Sequence, residues 1–122
     1  MEAEIKEFIL ELGVDDVGFS TVTEYQSKAS PSIESLFPQA QSIIVLAFHE
    51  LDTCDSPSPS IAMNGRLDLM EFSRSCNYKL SRFLAKKFKA KSITIPVSYP
   101  MDPGDLQGNA GELSLRYAAV AA

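Results

Sequence analysis

The chain has 122 residues, 45% hydrophobic and 22% charged, enough to bury a core without metal or disulfide staples and to make one globular domain spanning 1–122. Its longest apolar runs, 42–48 and 117–122, are too short for a membrane span, and residues 1–11 carry Glu2, Glu4, Glu7 and Glu11 where a secretory signal would be basic and then apolar, so a cytoplasmic protein without a membrane partner is expected. A net charge of −5 argues against tRNA or another nucleic acid as the main partner.

In chain order, Ile5, Phe8, Ile9 and Leu12 make one apolar stripe at helical spacing. Gly13 follows, a residue that closes a helix cheaply in the left-handed conformation. Residues 14–22 read as a short strand of mixed burial, and 23–31 as a polar loop. Ser30 and Pro31 suit the start of a short helix through Leu36, which Pro38 interrupts. Residues 42–48 are apolar on both parities, which predicts a strand buried on both faces at the centre of a sheet. Residues 51–64, with Pro57 and Pro59 among serines and aspartates, have the composition of a loop long enough to act as a lid.

From Arg66, the series Leu69, Phe72, Cys76, Leu80, Phe83, Leu84 and Phe88 predicts the longest helix, with Cys76 packed as a small hydrophobe. Residues 92–99 alternate as an edge strand, 100–111 form a turn-rich loop, and 112–122 form a helix that stops on Ala121 and Ala122 without a capping signal. That abrupt stop predicts a piece of a longer protein. The expected fold is therefore α+β: a small mixed sheet of three or four strands covered by about four helices.

The residue types that carry chemistry are sparse. The chain has neither a phosphate loop, nor GxGxxG, nor HExxH, nor GxSxG. Cys54 and Cys76 form no CxxC pair, and with His49 as the single histidine no metal site is expected. His49 ends the apolar strand, where α/β ligands tend to sit, yet has no evident acid or nucleophile partner. Asp15 and Asp16 are adjacent and so point in different directions, which does not make an acid and base pair. Arg74, Lys79, Arg82, Lys86, Lys87, Lys89 and Lys91 form a basic run without an intervening acid, either a solvated helix face or an RNA-binding one. Catalytic residues are not identifiable from these patterns.

Tyr99-Pro100-Met101-Asp102, followed by Gly111-Glu112-Leu113-Ser114-Leu115-Arg116-Tyr117-Ala118-Ala119-Val120-Ala121-Ala122, resembles the end of the N-terminal domain in iron–sulfur proteins related to epoxyqueuosine reductase and the reductive dehalogenases. Gly13, the Val17-Gly18-Phe19 strand, Pro38 to Ser42 leading into the apolar strand, and Asn77-Tyr78 agree in order, so the likeness covers nearly the whole chain. The resemblance implies an N-terminal domain forming part of the wall of a corrinoid (cobalamin) pocket, joined to a C-terminal ferredoxin-like module that holds the 4Fe-4S clusters. It also implies an oxidoreductase that this piece cannot run by itself, since two clusters need eight thiolates.

Carried over residue by residue, Tyr99, Ser114 and Arg116 would line the cofactor cleft, with Tyr78 nearby. Two departures stand out. Ser114-Leu115-Arg116 replaces the Ser-His-Lys or Ser-His-Arg of many relatives, and Asn77-Tyr78-Lys79 replaces the Asp-Tyr-His of epoxyqueuosine reductases proper. A rival expectation is a non-catalytic interaction or assembly module that forms a homodimer through the apolar C-terminal helix.

Overall fold

A computed structural model of the chain describes residues 1–25 and 32–95. The fold is α+β. Its elements are α1 (Glu2–Glu11), β1 (Asp16–Thr21), α2 (Ile33–Leu36), β2 (Ser42–Ala47) and α3 (Pro59–Phe88), with single 3-10 turns at Val22–Glu24 and Asp52–Asp55. β1 and β2 pair antiparallel: the Asp15 N–H donates to the Ala47 carbonyl at 3.2 Å, and the Val22 N–H to the Gln41 carbonyl at 3.1 Å.

The chain divides into two compact units. The first comprises Met1–Val17 and Leu46–Ser92. Here α1 lays Ile5 and Ile9 inward and packs on α3, whose inner face supplies Cys76, Leu80 and Leu84. Phe8 stacks on Phe83 with centroids 4.1 Å apart, and Phe88 meets Phe83 edge-on at 5.9 Å. α1 ends as its sequence predicts, with Leu12 as C-cap and Gly13 at φ +104°. The 30-residue α3 begins on Pro59, a position where proline costs nothing because that N–H has no helical partner. It ends on Lys89, a non-glycine residue at φ 53°.

The second unit holds Gly18–Val45 and, among the described residues, 93–95. Among its described residues the core is Ile33, ringed by the half-buried Val22, Tyr25, Leu36, Ala40, Ile43, Val45 and Ile95.

Three expectations need correction. β2 is one of two described strands and its inner residues are only half-buried, so it is not a strand buried on both faces. The segment 51–64 is no open lid: the Asp52–Asp55 turn lies against α3, Cys54 is buried, and the helix begins seven residues ahead of Arg66 because Pro59 serves as a helix start. Finally, residues 92–95 are irregular rather than the beginning of a strand, which reduces the described sheet to two strands. Residues 96–99 of that expected strand, and the helix expected at 112–122, lie outside the described residues.

Candidate functional site

Of the four residues named for a cofactor cleft, Tyr99, Ser114 and Arg116 lie outside the described residues. Tyr78 lies on the outer face of α3 and is 68% exposed. Its ring is neither a core aromatic nor part of an enclosed pocket wall made by described residues. A shallow depression of about 460 Å³ lies elsewhere, along α1, lined by Ala3, Lys6, Glu7, Leu10 and Glu11.

The two thiols are structural. Cys76 is 1% exposed, and burial pushes its thiol up, with Lys79 pulling weakly the other way. A thiol kept neutral at physiological pH is a poor nucleophile and a poor metal ligand. Cys54 is buried against Gly65 of α3, where an added Cβ would stand 2.9 Å from the Cys54 backbone nitrogen and 3.0 Å from its Sγ. Gly65 thus lets the Asp52–Asp55 turn approach the helix. Sequence reasoning missed it, although an isolated glycine inside a helical pattern is a signal of close packing. Two buried cysteines cannot hold an iron–sulfur cluster, so any cluster chemistry must reside on residues other than these. Among the described residues no group of three or more His, Cys, Asp or Glu side chains could hold a metal ion.

At the end of β2, the Asp15 carboxylate accepts the His49 backbone N–H at 2.6 Å, and Asp16 accepts the Val17 N–H at 2.8 Å. The adjacent carboxylates therefore serve two separate backbone groups, and the pairing with His49 fixes its main chain rather than its imidazole.

The outer face of α3 carries much of the basic run. Arg74, Lys79, Arg82 and Lys86 are all exposed there. Lys87 is the exception in direction: it pairs with Glu4 of α1 and lies 5.7 Å from the Phe83 ring centroid. The hydrogen bond and charge of Lys87 hold the Glu4 carboxyl below its usual range. Glu24 is lowered likewise, by accepting the Thr21 N–H at 2.8 Å and the Thr21 hydroxyl at 3.0 Å.

Comparison with protein-family models, curated proteins and solved structures gave no match to this chain. No helix among the described residues is long and apolar enough to cross a membrane.

Proposed function

We propose that this chain is the N-terminal, non-catalytic wall domain of a cytoplasmic iron–sulfur oxidoreductase that also uses a corrinoid. The observation that carries the reading is the resemblance of the 99–122 segment to the corresponding segment of epoxyqueuosine reductase-like and reductive dehalogenase-like proteins. The order of the other quoted segments supports it: Gly13 follows α1, Val17-Gly18-Phe19 lies in β1, Ile43 to Ala47 in β2, and Asn77-Tyr78 on α3.

When bound, the clusters and corrinoid supply the electron transfer. This chain's own part is to furnish folded surface and a few polar anchors, Tyr99, Ser114 and Arg116, whereas Tyr78, exposed on the outer face of α3, is not one of them. The test is the natural reading frame downstream of Ala122 and the visible spectrum of its full-length product under anaerobic purification. Two cysteine clusters and charge-transfer absorption that bleaches on reduction are expected. A frame without those cysteines, or a colourless product carrying them after iron and sulfide reconstitution, overturns the reading.

A further inference from the structure

α3 places seven exposed residues on one stripe: Asn64, Asp68, Glu71, Ser75, Lys79, Arg82 and Lys86. At about 100° per residue they fall within roughly 40° of Ser75 on either side of the helix. Their spacing of four, three, four, four, three and four residues reads the same in both directions from Ser75. The chemistry is opposite on the two sides. Four residues before Ser75 stands Glu71 and four after it Lys79; seven before stands Asp68 and seven after it Arg82. Among the described residues none of these four charges makes an ion pair, whereas the Lys87–Glu4 pair does form. Half-exposed apolar side chains border the stripe, Leu67 and Tyr78 along one edge and Phe72 along the other.

We propose that this face is a docking surface for a second copy of the chain, packed antiparallel about a twofold axis through Ser75. An antiparallel twofold sets each residue before the axis against its counterpart after it, so the interface is self-complementary in the way a closed dimer requires. Glu71 then meets the partner's Lys79 and Asp68 meets the partner's Arg82, each pair occurring twice. Ser75 is small enough to let the two helices approach at the 8–10 Å typical of packed helices. Tyr78 and Leu67 give the edge apolar area, and Tyr and Arg are the residue types enriched in protein interfaces. An extended polyanion fits less well, because Asp68 and Glu71 on the same stripe would repel it.

The experiment uses the 122-residue chain in sedimentation equilibrium at low and high salt. A monomer–dimer equilibrium is expected, weakened at high salt because the pairs are exposed. Arg82→Asp should weaken dimerisation about tenfold or more by setting like charges together, and Asp68→Arg combined with Arg82→Asp should restore it. Ser75→Cys should form a disulfide-linked dimer under mild oxidation, while Glu2→Cys should not. Circular dichroism on each variant verifies that α3 is intact. The proposal is overturned by a monomer at every concentration and salt, by a dimer indifferent to both the reversal and the swap, or by a monomer whose basic half binds RNA.

Discussion

The described residues of the two units bury apolar surface to different extents. Of the ten apolar residues buried among the described ones, nine belong to the unit built on α1 and α3, including the fully buried Ile9, and Ile33 belongs to the other. The first unit closes two helices and a turn over a continuous interior, and burial there is worth ~25 cal/mol per Å² of apolar surface. Among the described residues of the second, one buried isoleucine is surrounded by side chains that still touch water. Local opening follows buried apolar contact, so amides of α2 should exchange faster than those at the α1–α3 contact.

The sharpest way to break that contrast is a matched pair of truncations. Ile9→Ala, at a position with no exposure, should cost about 3–5 kcal/mol by leaving a cavity between helices that cannot collapse. Ile33→Ala, with a ring of half-exposed neighbours able to relax, should fall nearer 2 kcal/mol. Urea unfolding combined with hydrogen exchange separates the outcomes: the first change should lower protection throughout its unit, the second only around α2. Equal costs would mean that the two cores are equivalent.

Next in size is Gly65→Ala. The helix propensity of alanine contributes about 1 kcal/mol in its favour. Against it, the new methyl meets a backbone nitrogen and the Thr53 Cβ, both at 2.9 Å, neither the free end of a flexible side chain. Overpacking of this kind costs about 1–3 kcal/mol, so the variant should melt lower than the parent, with the loss in the first unit. A stabilised variant would show that the Asp52–Asp55 turn lifts off α3 freely.

How much of this was legible in the sequence follows the same division. The apolar stripes of α1 and α3, the inward Cys76 and the stop at Gly13 were readable because helical periodicity reports one long buried face. The strand at β2 is legible but its burial is not, because an apolar run marks the side chains and not the neighbours that would cover them. The start of α3 was placed late because Pro59 among serines has a loop composition even where its ring fits the first helical turn. Of the candidate site, Tyr78 is legible both as helical and as exposed, because it stands about 160° round the helix from Cys76 and Leu80 in the apolar stripe. Asp15 with His49, and Gly65 with Cys54, are contacts between segments far apart in the chain, invisible to local pattern.

A smaller effect is expected at the far end of α3. Lys89 adopts a left-handed conformation that costs a non-glycine residue roughly 1 kcal/mol. Lys89→Gly removes that strain, less the greater chain entropy of unfolded glycine and the loss of a cation near the helix C-terminus. A net gain of about 0.5 kcal/mol should appear as a rise of a few degrees in Tm. Lys89→Ala, which loses the charge and keeps the strain, should show no gain.

The smallest effect divides the two units by pH. Glu4 in the first and Glu24 in the second both hold carboxyls below the ordinary value of 4.5 when folded. A lowered folded value means that near and below 4.5 the unfolded chain binds more protons than the native one, so both contributions are complete above that pH and fade as it falls through the folded values. Both side chains are exposed, so each contribution is slight. Their causes nevertheless differ. Glu4 depends on the hydrogen bond and then the charge of the Lys87 ammonium, whereas Glu24 depends on short hydrogen bonds from a neutral amide and hydroxyl. Salt at about 0.5 M, with a screening length of roughly 4 Å, should therefore raise the titration of Glu4 toward its ordinary value while leaving Glu24 low. Carboxyl titration followed by NMR checks this directly. A Glu24 that moves with salt as far as Glu4 would mean that charge, rather than hydrogen bonding, sets it.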